Sequence, residues 1–501
     1  MKKLYTIFFA VLGIFALSSC DDFLNVKPTN QQQSSNSITT AADAESFMTG
    51  IMNRMLNGNF YGRNMILYGD AKGGDLTIYS QGRGYDYLYS FNHSASSGSG
   101  SGFWTTGFDI ILQINTVLEN IAKLEADPNV KEDFGDMKGR ALTLRALMYF
   151  DLVRLYGLPY TLYNPQTSLG VPNITSVLSV DAQPDRATVA TNYTQILSDL
   201  NTAAATITKS VSSSTNGYPT YWANRAIAAR VYLTMGDTEN ALKAAEEVIK
   251  SGKFSLYSND EWVASWSEQF GDESIFELHV LVKEANLTTS SLGAMYSRIQ
   301  HYSSKVGGYF GASDYWLERM NEDPEDVRWG IMSYDENSAS YDDDYDTDRM
   351  ACCYKYFGGV EMPGDGKDDA ASTNVKVVRL SEMYLIAAEA ALAEGDAEAA
   401  AGYLNAIRKR SPNLAPATKE TVTLEMILSE KSKELFSEGQ RYWDRLRHGD
   451  VIEFNDEIMG IKCPHRDKVI DTKTYNKVVL PISIDDINSS PNLETQQNPG
   501  Y

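Results

Sequence analysis

The chain is short of cysteine, of catalytic signatures, of positive charge and, beyond its first twenty residues, of long apolar runs. Only four cysteines occur in 501 residues. Cys20 closes the N-terminal segment, which leaves Cys352, Cys353 and Cys463, an odd number with one adjacent pair. That pattern is no disulfide framework, and no CxxC or Cys/His spacing suggests zinc. The three read as packing residues, with a bridge from Cys463 to one of the pair as the alternative. The five histidines (His93, His279, His301, His448, His465) are scattered without metal-ligand spacing. There is no P-loop, HExxH or GxSxG, and Gly82-x-Gly84 lacks the third glycine and the strand–helix setting of a dinucleotide fold. Lysine and arginine number 44 against 66 acids, a net charge of −22. Such a surface repels phosphate backbones, so no nucleic-acid partner is expected, and polyanionic ligands are disfavoured.

Residues 1–19 supply the single apolar run. Lys2 and Lys3 precede Leu4–Leu17, too short and wrongly flanked for a stable membrane span, so the segment is read as a secretory signal. Its end, Leu17-Ser18-Ser19-Cys20, resembles the bacterial lipobox, which implies lipidation of Cys20 and a membrane tether without a spanning helix. Residues 20–40 are polar and rich in Ser, Gln and Asn, a flexible tether. Residues 41–501 are expected to form one domain. Its helical parts are 41–58, 104–251 and 375–449, its aromatic loop regions 59–103 and 253–374, and its C-terminal tail 450–501.

The fold class is expected to be mainly α, because helical periodicity dominates. Residues 375–410 read as an antiparallel helical hairpin. Leu380, Tyr384, Leu385, Ala388 and Leu392 share one face, Gly395-Asp396 breaks the register, and Ala399, Ala400, Tyr403, Leu404 and Ile407 form the second face. A second copy lies at Tyr218–Ser251. There Ala229, Leu233, Gly236, Asp237, Glu239 and Ala241 match Ala388, Leu392, Gly395, Asp396, Glu398 and Ala400. Small residues at the helix crossing and a Gly-Asp turn are the grammar of tetratricopeptide-like pairs. Further helices are expected from Thr40, over Trp104–Ala126, Asp133–Tyr156 and Thr188–Thr208, near Tyr315–Asn321, and over Leu424–Glu438 and Gln440–His448. A strand is expected at Ser274–Val280. Trp104, Trp222, Trp316 and Trp443 begin or sit within helices and are assigned to the core.

Three constellations carry candidate chemistry. Glu430, Glu434 and Glu438 line one helical face above Arg441, Asp444 and Arg445; paired carboxylates can hydrolyse a glycoside, but an ion-pair lattice between packed helices is the favoured reading. Tyr341–Asp348 alternates Asp342, Asp344, Asp346 and Asp348, yet counted from Asp342 an EF-hand's Gly and Glu positions hold Thr347 and Cys353. A solvated acidic loop is therefore expected and no cofactor, with calcium as the alternative. The third is aromatic: the chain has 30 Tyr and 7 Trp. Tyr85, Tyr87 and Tyr89 alternate with Asp86 and Leu88 as in a short strand, where they would lie roughly 6.6 Å apart on one face and form either a sugar-stacking platform or a packed strand face.

Five ordered landmarks resemble the SusD/RagB family of outer-membrane nutrient-binding lipoproteins. They are Cys20 with Asp21-Asp22, the LRALMYFDLVRLYGLP run within Arg140–Tyr160, RLSEMYLIAAEA at Arg379–Ala390, EKSKELFSEGQRYWDRLRHG at Glu430–Gly449, and the terminal LPIS with INSSPNLETQQNPGY. The resemblance implies tetratricopeptide-like hairpins forming a right-handed scaffold, with a loop-rich second half of little β content carrying the ligand surface. It implies a lipoprotein on the exterior of the outer membrane that captures oligosaccharide and passes it to a SusC-like TonB-dependent transporter. It also implies no catalysis. By position, the family's aromatic arc falls on Tyr79 with Gln81 and Arg83, then Tyr296 and Tyr309. The Trp-rich pattern of the starch-binding member is replaced here by Thr77-Ile78-Tyr79, so starch specificity is not implied. The alternatives are a peptide-binding lid of the same transporter type, a surface glycoside hydrolase using Glu430 or Glu434, and a scaffold that binds only protein.

Overall fold

The computed structural model describes residues 38–79, 81–82, 84–97, 101–209, 217–281, 291–296, 308–333, 351–356, 373–458, 461–462 and 466–501. The signal and lipidation site at Cys20, the acidic run at 341–348, Cys463 and Arg83 lie outside them. The principal elements are helices α1 (Ala41–Met55) and α2 (Asn64–Ala71), strand β1 (Leu76–Ile78), and helices α3 (Ser101–Ala126), α4 (Gly135–Tyr156), α5 (Val189–Thr206), α6 (Tyr221–Met235) and α7 (Thr238–Lys250). They continue with strands β2 (Ser274–Leu278) and β3 (Phe310–Ala312), helix α8 (Asp314–Met320), strand β4 (Val375–Arg379), and helices α9 (Leu380–Ala393), α10 (Ala397–Arg408), α11 (Leu424–Glu434) and α12 (Arg441–His448). The fold is mainly α, and the strands among the described residues form two-stranded pairs.

Local chemistry sets the helix ends. Thr40 and Asp43 form a reciprocal capping box at the start of α1. In each hairpin a left-handed glycine closes the first helix, Gly236 at φ 76° and Gly395 at φ 85°. The following aspartate caps the second: Asp237 accepts from Asn240 N–H and Asp396 from Ala399 N–H. The first hairpin residues differ from expectation. Val375–Arg379 is not helix but β4, paired antiparallel with β2. The run Val375, Val377 and Val378 is β-branched and meets an open partner strand, so pairing overrides the helical pattern.

Helices α3, α4, α5, α6 and α7 pack in chain order, α7 packs on α9, and α9 on α10 and α11. Every residue of α4 from Gly139 onward is buried. The two Gly-Asp hairpins meet directly: Arg230 on α6 pairs with Glu382 on α9, and Tyr403 on α10 donates to Glu246 on α7. Trp104, Trp222, Trp316 and Trp443 are all buried.

Two glycines bring α2 against the turn before α12. A Cβ on Gly69 would collide with the carbonyl oxygen of Gly439, and one on Gly439 would lie 2.9 Å from Ile66 Cα. Gly439 also has φ 76°, so both the approach and the backbone require glycine there.

Candidate functional site

The ion-pair lattice exists, with partners other than those expected. Glu430, Glu434 and Glu438 turn away from α12. Glu430 pairs with Arg328 at 2.7 Å, Glu434 with Arg379 at 2.7 Å, and Glu438 with Arg379 and Lys355, each at 2.8 Å. Arg441 instead pairs with Asp75, Asp444 with Lys431, and Arg445 with Asp450. Burial works against the charge on Glu434, but Arg379, Arg410 and Arg328 outweigh it and hold the carboxyl well below the usual range. Neither Glu430 nor Glu434 reaches solvent, both being 0% exposed. A carboxylate so enclosed cannot protonate a glycosidic oxygen, and the lattice has a structural task. Arg328 and Lys355 belong to the irregular central segment, Arg379, Arg410 and the glutamates to the helical frame, so buried charge bolts one to the other.

The frame carries the aromatic loops to one place. Strand β1 pairs antiparallel with β3, Ile78 opposite Phe310. The pairing extends one step beyond the strands, because Tyr79 N–H donates to Tyr309 O at 2.8 Å. Two tyrosines distant in sequence therefore sit side by side, and both are partly exposed. Tyr85 joins them, its ring edge-on to Tyr309 at 5.5 Å between centroids. Arg63 lies over the other side of the Tyr85 ring at 4.7 Å and donates to its hydroxyl at 3.3 Å. Gln81 is exposed beside them, on a loop where Gly82 and Gly84 take φ 70° and 82° and stand clear of other atoms. Asp86 ties that loop down by accepting from Gly82 N–H at 3.1 Å. The result is a ledge in which Tyr79 lies opposite Tyr309 across the pairing, Tyr85 and Arg63 back Tyr309, and the exposed loop carrying Gln81 runs on from Tyr79.

Of the predicted site residues, Tyr79 and Tyr309 come together and Gln81 follows Tyr79 on an exposed loop, while Arg83 lies outside the described residues. Tyr296 does not reach the surface. It is 1% exposed, and its phenol donates to Asp70 at 2.9 Å. Its place on the predicted arc is corrected: position along the chain marked the right turn, but the side chain faces inward because a buried acceptor waits there.

The predicted Tyr85–Tyr89 strand is also corrected. Asp86–Tyr89 is a single helical turn, with Leu88 N–H bonded to Tyr85 O and Ser90 N–H to Asp86 O. The three rings diverge: Tyr85 to Arg63 and Tyr309, Tyr87 to Asn64 and Phe103, Tyr89 to Asp86 and Phe310. The Asp86 carboxylate offers local hydrogen bonds that a strand could not use, and the edge of β1 is already taken by β3. Tyr85 thus precedes a helical turn and lies on no strand. Arg63 gave no signal in the sequence.

An open groove of about 440 Å³ lies at the opposite end of the β1–β3 ribbon. Tyr315 and Val451 form its apolar part and Glu318, Glu322 and Glu453 its rim. Its cations are already committed, Arg319 to Asp75 at 2.8 Å and Arg445 to Asp450 at 2.9 Å. Among the described residues no group of three or more His, Cys, Asp or Glu is arranged to hold a metal ion. No helix among them is long and apolar enough to cross a membrane.

Comparison with known proteins agrees with this architecture. A family profile described as "Starch-binding associating with outer membrane" matches residues 22–233, and that of the SusD family matches 193–501. A crystal structure of a SusD superfamily protein from Bacteroides thetaiotaomicron is 32% identical, covers 92% of this chain and 100% of its own, and superposes with a TM-score of 0.80. A putative sugar binding protein from Bacteroides vulgatus is 31% identical, with 93% and 99% coverage and a TM-score of 0.80. SusD-like protein P38 of Formosa agariphila is 23% identical over the full length of both chains. The helical frame, its loop-borne ledge and these matches lead to one conclusion: the chain belongs to the SusD family.

Proposed function

We propose that this protein is a cell-surface solute-binding lipoprotein, anchored through Cys20 to the outer membrane, that captures oligosaccharide and delivers it to a SusC-like TonB-dependent transporter. The observation that carries the reading is the backbone pairing of Tyr79 with Tyr309, which sets two partly exposed tyrosines opposite each other with the Tyr85 ring against Tyr309. Pyranose rings present flat CH faces that stack on aromatic rings, and their hydroxyls need polar groups at the margin, here Gln81. The outer-membrane description of the matching profile and the sugar-binding description of the Bacteroides vulgatus relative support the same reading. The acidic surface favours a neutral glycan over a polyanionic one. The enclosure of Glu430 and Glu434 counts against hydrolysis.

Calorimetric titration with maltohexaose, xylohexaose, mannohexaose and cellohexaose tests the site. At least one is expected to bind, and Tyr79→Ala and Tyr309→Ala are each expected to weaken it tenfold or more, about the effect of losing one stacking ring. Unchanged affinity in both variants would remove the ledge as the site. Binding of mixed oligopeptides and of none of the glycans would replace sugar by peptide as the cargo. Cross-linking in outer membranes tests delivery: a TonB-dependent transporter is expected among the products, and its loss in Cys20→Ser would tie the complex to the anchor.

A further inference from the structure

The ledge leaves one question open: what holds Tyr309 in place. Leu292–Tyr296 is a single helical turn whose residues are all buried. It is closed by Met295 N–H on Ser291 O at 3.1 Å, and Ala294 N–H donates to Ser291 Oγ at 3.2 Å. Its carbonyls serve the ledge. Gly308 N–H donates to Ala294 O and Tyr309 N–H to Met295 O, each at 3.1 Å, and Tyr309 O in turn accepts from Tyr79 N–H at 2.8 Å. The turn is fastened at its last residue, where Tyr296 hydroxyl donates to Asp70 Oδ2 at 2.9 Å. Asp70 ends no loose segment, because α2 is held against Gly439 by the close approach at Gly69. An unbroken series of contacts therefore runs from Asp70 through Tyr296 and the turn to Tyr309 and Tyr79.

We propose that Tyr296 is a positioning residue for the ligand ledge, its hydrogen bond to Asp70 holding the turn whose carbonyls set Tyr309 against Tyr79. The proposal rests on the ledge being the glycan site and deepens that reading. A neutral Asp70 suits the task. Burial raises its carboxyl to about 8, so at neutral pH it accepts the phenol's hydrogen bond without placing an anion in the core. The charged and titratable groups facing the pair are Glu438, which raises it further, Lys355, which opposes, and Cys353 and Tyr356 beside Tyr296.

The test uses the full chain and three variants, Tyr296→Phe, Asp70→Asn and Tyr309→Ala. Hydrogen exchange is read at the Tyr79 and Tyr309 amides, and binding with whichever of the four hexasaccharides the wild type takes. Tyr296→Phe is expected to speed exchange at both amides and to weaken binding, each about fivefold, the usual worth of one hydrogen bond, while exchange within α4 is unchanged. Asp70→Asn, which keeps an oxygen acceptor for the phenol and carries no charge, is expected to bind the hexasaccharide as wild type does at pH 7. Unchanged exchange at Tyr309 in Tyr296→Phe, or acceleration spread equally over α4, would overturn the proposal. If Tyr309→Ala abolishes binding and Tyr296→Phe leaves it intact, the ledge stands and the positioning role falls. If Tyr309→Ala itself binds normally, the ledge reading fails first and the proposal with it.

Discussion

Arg230 and Glu382 face each other across the two Gly-Asp hairpins in a two-pronged ion pair, Nε to Oε1 at 2.7 Å and Nη2 to Oε2 at 2.6 Å. Arg230 also donates to Val377 O at 2.8 Å, so one side chain holds α6, α9 and β4 together. Both partners are buried. Removing the cation leaves Glu382 without compensation, and Arg230→Ala is expected to lose about 3–5 kcal/mol. Replacing both by apolar residues of similar size, Arg230→Met with Glu382→Leu, is expected to recover most of that loss. Urea unfolding of the single and double variants measures both.

Two glycines separate close packing from mere permissiveness. Gly69→Ala drives a methyl into the Gly439 carbonyl, which must shift backbone, and a loss of about 2–3 kcal/mol is expected. Gly402 lies exposed within α10 with nothing within 4 Å of its would-be Cβ. Gly402→Ala is expected to gain roughly 0.5–1 kcal/mol from helix propensity alone. Melting temperatures should move in opposite directions.

Asp75 and Asp70 predict opposite pH limbs. Burial opposes the Asp75 charge, but Arg319 and Arg441 and the Ser432 hydroxyl bring its carboxyl down to about 2. Its folded value lies below its unfolded value, so its contribution is complete above pH 4 and is lost as pH falls toward 2, about 2 kcal/mol in all. Asp75→Asn is expected to cost about that at pH 7 and to flatten the acid limb. Asp70 is raised to about 8, so its stabilisation is complete below pH 4 and declines as pH rises to 8. Asp70→Asn should therefore gain on the wild type steadily across that window. Denaturant midpoints at half-unit pH steps resolve both slopes.

Glu434→Gln tests the role of the lattice. Glu434 accepts from Arg379 and Trp262 and faces Arg328. Its charge is one of several facing Arg379 and Arg328, which keep Glu273, Glu438, Asp326 and Glu430, and a destabilisation of about 2 kcal/mol is expected from the lost charge-assisted bonds. Incubation of the wild type with the four hexasaccharides is expected to release no shorter products, whereas release abolished by this substitution would restore the hydrolase reading.

Much of the frame was legible because its determinants are local. Gly236-Asp237 and Gly395-Asp396 announce their turns within two residues, and Thr40 with Asp43 announces a helix start within four. What failed depended on partners distant in the chain. The valines of β4 become strand only because β2 lies alongside. Glu430 and Glu434 lie on α11, but the helix expected to reach Glu438 ends at Glu434, Ser437 turns to φ 66° and Glu438 sits in the turn beyond; the cations of all three come from positions as remote as Arg328 and Arg379. Family position put Tyr79 and Tyr309 on one arc, and the backbone bond between them brings the two together. Whether Tyr296 points in or out depends on Asp70, which no spacing reveals, and Tyr85 was misplaced because Asp86 supplies bonds that periodicity does not register.

The ledge is a joint product of two loops, closed by a single backbone hydrogen bond from Tyr79 to Tyr309. Neither loop contains half a site that could function by itself. A change of sugar preference by recombination would therefore have to move the segment around Tyr79 and Tyr85 together with the segment around Tyr309, as a matched pair. The buried charges beneath them could stay untouched, so cargo can diversify while the frame is inherited intact.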